Sequence, residues 1–509
     1  MQDDNRPTTL EYEGPPRPGE RLFAHIARLI EPAADALTPA GLFFLAAALV
    51  ATALYATAML TLPRPGGEGE VVIRWATDAA PARPTQVARF EENYPGVRVI
   101  VDPGLGADQT KLVVQCATGV GPDVIDIYNV RSMHSLVEAG ILLDLTDYAR
   151  AMGFGPDKTY PALREGLMVE GRQYRYPCNV WANVIVYNRE IFDDHGIAYP
   201  SDDWTWDHFI EVGLKLRDRS TSRTGRSHIP LASYARINMF GDVLTSFGGE
   251  FFTDHGLRSA LDSPVALAAW QFYGELFTRH RIIPTQAEAD ALSTQGGWGL
   301  SPLRWFSEER AAMIPIGRWY IILGRAYTGL LPKLGAVRLP HVPGRGSTGA
   351  IDARASGINA KAPPERREAA LKFLQYLASE PYNRLIIDDG DSLPPNPEMA
   401  RTGEDLVNKA ITDPAWHQTF IDAARDARPI DTSAFLDGSL LERWMTEALE
   451  RVENGSLTPE QGARRMANEV NQTIRTNLKR RPDLQRKYEQ LTGRAYEDNW
   501  WRDRVPPER

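Results

Sequence analysis

The sequence predicts an α/β protein of more than one domain behind a single apolar span. Three observations carry this reading. From Val71 onward, strand-like and helix-like segments alternate. The 509 residues exceed what one hydrophobic core organises, so two or three domains are expected. From Ala40 to Leu62 no side chain is charged, a run of 23 residues.

The alternating part reads in order. VVIRWAT is a strand. TQVARFEENY is a helix with Val87, Phe90 and Tyr94 on one face. VRVIVD is a strand, ADQTKLVVQCATGV a helix, DVIDIYN a strand and RSMHSLVEAG a helix. Such alternation places helices on both faces of a sheet. Ligands of these sheets sit beyond the carboxyl ends of the strands. That points to Trp75 through Ala79 and to Tyr128 and Asn129. After Gly155 the pattern reads as mainly helical, interrupted by Trp, Tyr and Gly. LKFLQYLAS and LLERWMTEALERVENG are amphipathic helices there. The last residues, from Leu478, are mildly basic and are expected as a partly ordered tail. Docking on the body or on anionic lipid is the alternative.

The uncharged run is long enough to cross a bilayer, which takes about 20 helical residues. The apolar region of a signal peptide is shorter, about 7–15 residues, and follows a basic start. Here the nearest preceding basic residue is Arg28. An uncut anchor is therefore expected, with cleavage at Ala56-Thr57-Ala58 as the alternative. No Cys follows the run directly, so lipoprotein processing is excluded. Ahead of it, Leu22, Phe23, Ile26, Leu29 and Ile30 share a helical face. That face lies on the membrane or packs on neighbours. Arg21 and Arg28 precede the span and Arg64, Arg74 and Arg83 follow it, so charge does not decide its orientation.

The net charge of −9 argues against nucleic-acid binding. Cys116 and Cys178 are the two cysteines. They either form one disulfide or remain separate buried thiols. No CxxC or Cys/His cluster occurs, so no metal site and no cofactor are expected. GLGADQ lacks the third Gly of a dinucleotide fingerprint. DDGD, Asp388 to Asp391, reads as a solvated acidic loop without EF-hand spacing. GGWG, Gly296 to Gly299, reads as a mobile loop that covers a cleft.

Several segments, in order, resemble the family 1 extracellular solute-binding proteins of ABC importers, the group containing maltose-binding protein. They are VVIRWAT with VARFEENYPGVRV, GVGPDVIDIYN, LVEAGILLDLTDYA, the pair YNREIF and WTWDHF, AAMIPIGRWY, GINAKAPPERREAALKFLQYLAS and ENGSLTPEQGARRMANEVNQ. The resemblance implies the two-lobed, type II-like periplasmic-binding-protein fold, with ligand in a cleft between lobes joined by crossing strands. It places lobe 1 at 71–180 and 348–400, and lobe 2 at 181–347 and 401–477. The remaining parts are a cytoplasmic segment 1–37, a transmembrane helix 38–63, a linker 64–70 and a tail 478–509. It implies a monomer that captures a solute, commonly a saccharide, and delivers it to ABC permease subunits without making or breaking a bond. The apolar span departs from the family, whose members are usually secreted or lipid-modified. It implies a single-pass tether to the inner membrane with the body periplasmic or extracellular.

A sugar site needs aromatic plates and fixed polar groups. Trp75 and Asp78 end the first strand, though Trp75 also suits core packing. Tyr128 and Asn129 end the third strand. Trp181 and Asn183 lie at the crossover. Tyr234 and Asn238 match the start of a ligand-facing helix. Arg318 and Trp319, in GRW, match the segment whose Trp stacks on sugar in the maltose-binding relative; a surface ion pair is the alternative for Arg318. Asp352 and Arg354 are cleft residues or an ion pair of the hinge. The rival function is a membrane-tethered glycosidase or lyase, which needs two carboxylates about 5 to 9.5 Å apart. A ligand-sensing subunit is the third reading.

Overall fold

In a computed structural model, the described residues are 48–50, 52, 69–104, 109–233, 235–285, 288 and 300–502. The chain divides into two compact units, Met1–Gly67 and Glu68–Arg509. The N-terminal segment, nearly all of the apolar span, the GGWG loop and Tyr234 lie outside the described residues. Among the described residues no helix is long and apolar enough to cross a membrane.

Two larger sheets organise the second unit, beside two short two-stranded ones among the described residues. The first contains β1 (Val71–Ala76), β2 (Val97–Val101), β3 (Val124–Ile127), β4 (Tyr176–Ala182), β9 (Ala350–Ile358) and β10 (Arg428–Pro429). The second contains β5 (Val184–Asn188), β6 (Ile229–Leu231), β7 (Ala311–Ile316) and β8 (Leu334–Val337). In the first, β1 lies parallel to β2 and β3, with Trp75 opposite Val101 and Val124. β9 runs antiparallel to β3 and to β4, and parallel to β10. The second sheet has the order β8-β5-β7-β6. Only Asn183 separates β4 from β5, so the chain passes between sheets there within one residue. It returns between β8 and β9. β10 joins the first sheet from within 401–477, the span expected in lobe 2.

The strands after Gly155 correct the mainly helical reading. VIVYN and AAMIPI are buried at every residue. A strand covered on both faces has no alternation to reveal it. The expected tail is corrected too. Helices Pro459–Arg480 and Pro482–Thr492 are continuous with the body. Leu478, Leu484, Tyr488 and Trp500 are buried in the large aromatic core of the second lobe. Burying these four large apolar side chains contributes roughly 1.5–3 kcal/mol each toward holding the segment on the body. Cys116 and Cys178 are separate buried thiols.

Candidate functional site: the cleft end of the first sheet

The carboxyl ends of β1 and β3 meet in a polar network. β1 is followed by Thr77 and Asp78, β3 by Tyr128 and Asn129. The Tyr128 hydroxyl donates to Asp78 Oδ2 at 2.9 Å and accepts from the Asp78 backbone N–H at 2.8 Å. Arg83, the first residue of helix Arg83–Asn93, donates to Asp78 Oδ1 at 3.0 Å and to Asp391 Oδ2 at 2.7 Å. Arg354 of β9 donates to Asp126 Oδ2 at 2.9 Å and Asp391 Oδ2 at 3.3 Å. Trp75 Nε1 donates to Asp126 Oδ1 at 2.7 Å, and Asn179 Nδ2 to Asp391 Oδ1 at 2.8 Å. The charges thus alternate along one chain: Asp78, Arg83, Asp391, Arg354, Asp126. The Trp75 ring packs on Phe373, centroids 4.9 Å apart, with the Arg354 guanidinium 5.6 Å from its centre.

Asp391 corrects the solvated reading of DDGD. Asp388 is exposed, but Asp391 is 2% exposed. Gly390 makes this possible. It ends helix Glu380–Asp389 with φ of 72°, a left-handed value that turns the chain inward. A Cβ there would also meet Ile321 Cγ2 at 2.7 Å.

The electrostatics follow from the pairing. Burial pushes the Asp78 and Asp391 carboxyls up, but Arg83 and Arg354 outweigh it and hold both below their ordinary values. Burial opposes the Arg354 charge, and Cys178, Asp126 and Asp391 more than offset it, so its pKa rises. Burial, then Asp126 and Asp78, raise the Tyr128 hydroxyl well above its usual range, so it stays a neutral donor and acceptor.

At the crossover, Gly317 follows β7. A Cβ on it would meet Trp319 Cδ1 at 2.8 Å and Trp181 Cβ at 3.3 Å. Gly therefore lets both tryptophans close on one backbone point, and each remains partly exposed. On the other side of the fold's junction, residues after β3 touch the second lobe. Asn129 Nδ2 donates to Glu442 Oε2 at 3.0 Å, and the Arg131 guanidinium lies 4.9 Å from the centre of the Phe251 ring.

The family model described as bacterial extracellular solute-binding protein matches residues 76–384. This chain belongs to that family. An arabinooligosaccharide-binding protein of Halalkalibacterium halodurans is 24% identical over 294 residues, 55% of this chain and 59% of that protein. The match thus spans less than two thirds of that relative. An uncharacterized ABC transporter extracellular-binding protein of Pyrococcus horikoshii is 25% identical over 342 residues, 64% of this chain and 70% of its own length. The ABC substrate-binding protein of Listeria monocytogenes in complex with cycloalternan superposes with a TM-score of 0.67 at 23% identity, covering 80% of this chain and 99% of that one. Maltose-bound MalE3 of T. maritima gives 0.65 at 20% identity, covering 78% and 98%. The fold is therefore the two-lobed binding-protein fold.

In this solute-binding protein the expected residues divide by exposure. Asp78, Tyr128, Asn129, Trp181, Asn238 and Trp319 are partly or well exposed. Trp75, Asn183, Arg318, Asp352 and Arg354 are buried, and each makes internal hydrogen bonds. Arg318, 1% exposed, donates to His417 Nδ1 and to the carbonyls of Ser392, Ile387 and Leu406. Asp352 accepts from Arg175 at 3.1 Å and from the Val130 N–H at 3.1 Å, next to a cavity of about 90 Å³. Asn183 donates to Asp242 Oδ2 at 3.0 Å. Arg83, Asp126, Asp391 and Glu442 were not expected as site residues: Asp391 was read as part of a solvated acidic loop and Arg83 only as a basic residue beyond the span. The one available signal was Asp126, a charged residue inside the otherwise apolar VIDI strand.

Proposed function

We propose that this chain captures a saccharide in the cleft between its lobes and delivers it to ABC permease subunits, held at the outer face of the inner membrane by its apolar span. The carrying observation is the set of half-exposed aromatics with fixed polar neighbours: Tyr128 locked by Asp78, and Trp181 with Trp319 around Gly317. Rigid rings offer sugar faces a plate at little entropic cost, and Asp78 and Asn129 supply acceptor and donor groups for hydroxyls. The oligosaccharide bound by the Halalkalibacterium relative supports the ligand class. Closure of the lobes on ligand would shift an open–closed equilibrium that a permease can read. A tether raises the effective concentration at the permease.

Binding without chemistry fits the carboxylates at the end of the first sheet. A general acid needs a raised pKa, whereas Asp78 and Asp391 are held low by arginine. The test is a thermal-shift screen of the protein against mono-, oligo- and acidic saccharides, with the recovered ligand checked for cleavage. Stabilisation by an oligosaccharide recovered intact is expected. A stabilising saccharide that is consumed would overturn the reading in favour of a tethered enzyme.

A further inference from the structure

We propose that Asp194, His195 and His228 form a zinc site at the outer end of the second lobe. The two histidines are 33 positions apart, and folding brings His195 Nε2 to 3.0 Å from His228 Nδ1. One ligand atom from each of the three residues lies within 4.8 Å of the others. Tetrahedral zinc with bonds of about 2.0–2.1 Å separates its ligand atoms by about 3.3 Å. The histidine pair is already at that spacing, and a rotation of Asp194 completes three protein ligands with a fourth position open to water.

The surroundings fix the ring that matters. The Thr221 hydroxyl donates to the carbonyls of Lys215 and Asp218, each 2.8 Å away. Its oxygen therefore accepts from His195 Nδ1–H, at 2.7 Å. That leaves the His195 Nε2 lone pair, the tautomer a metal requires, accepting from His228 Nδ1–H; zinc would take that place as His228 carries its proton on Nε2 instead. Asp194 accepts from the Thr224 N–H at 3.1 Å and from the Ser222 hydroxyl. The same three residues thus gather the 218–228 loop onto helix Arg189–Asp194. The place is distant in topology from the ligand cleft. β6 pairs with the start of β7, Ile229 opposite Ala311, whereas Trp319 follows the far end of β7. The role is a clip that fixes the outer loop of the second lobe.

The test is a cobalt and zinc titration of the full chain, purified in detergent and stripped of metal by chelator. One cobalt per chain, with the visible absorption of a tetrahedral site and displacement by zinc, is expected. His228→Gln should abolish the band, and Thr221→Val should weaken affinity by about 10- to 100-fold, because the Thr221 oxygen orients the His195 ring. A second measurement needs no variant. Zinc should protect His228, the partly exposed member of the pair, from diethylpyrocarbonate, mapped by mass spectrometry. Absence of a 1:1 site, a band that survives His228→Gln, or protection at histidines outside the pair would each overturn the proposal.

Discussion

Arg354 and Arg318 are both buried, and they are satisfied in opposite ways. Arg354 sits between two carboxylates, Asp126 and Asp391. Arg318 has four hydrogen bonds, all to neutral acceptors: three carbonyls and the His417 ring. Its own burial, then the charge of Arg325, draw its pKa down to about 9. Burial and Arg318 in turn keep His417 neutral, with a pKa of about 4. The contrast teaches where charge is compensated. At the end of the first sheet the charges cancel pairwise and hold Tyr128 and Asp78 in place. Beside Trp319 a guanidinium without a carboxylate partner ties together the carbonyls of Ile387, in helix Glu380–Asp389, and of Ser392 and Leu406.

The comparison breaks most sharply at Arg354. Arg354→Met leaves Asp126 buried without its guanidinium and is expected to cost about 3–5 kcal/mol in urea unfolding. A loss below about 1 kcal/mol would mean that Trp75, Thr77 and Ser356 alone satisfy Asp126. Arg318→Met removes its own uncompensated charge along with the bonds, so the expected loss is smaller, about 1–3 kcal/mol from unpaired carbonyls. If Arg318→Met proves the costlier of the two, the ranking of the two sites is wrong. Trp319→Ala tests the cleft rather than the fold. Calorimetry with the saccharide found in the screen should show roughly a tenfold weaker Kd, about 1.4 kcal/mol, with the protein still folded.

The smallest expected effects are in pH. Asp78 and Asp391 have depressed folded pKa values, so their stabilisation is present above the unfolded value of about 3.9 and is lost as pH falls below it. Arg354→Met should flatten that acid limb. Asp242 has the opposite sign. Burial pushes it up to about 6, against the bonds from Asn183 and Ala350. The folded state then keeps a proton that the unfolded state has lost, so stability falls as pH rises from about 4 to about 6. Asp242→Asn should remove this slope, since an amide does not titrate, and a flip of the Asn183 amide would let its Oδ1, which has no partner among the described residues, accept from the new side chain. A slope that persists in the variant would assign it to another group.

The first α/β half was legible because its strands alternate with amphipathic helices, and their ends named Asp78, Tyr128 and Asn129. The buried strands β5 and β7 were not legible locally, because a run such as VIVYN has the same pattern in a buried strand and in a buried helix. The site was half legible for a related reason. Residue type at a strand end says that a side chain is near the cleft, not which way it turns. Arg318 was expected to meet ligand, and it points into the protein, where the carbonyls of Ser392, Ile387 and Leu406 and the His417 ring accept its hydrogen bonds.

By itself the sequence carried the family resemblance, through its short motifs, and the α/β alternation and the strand-end position of Tyr128, through local periodicity. Tertiary structure alone decided which charges pair, that Asp391 turns inward at Gly390, and that His195 meets His228. Each joins residues far apart in the chain, and a buried charge is placed by the partner that lowers its desolvation cost, which no local pattern records.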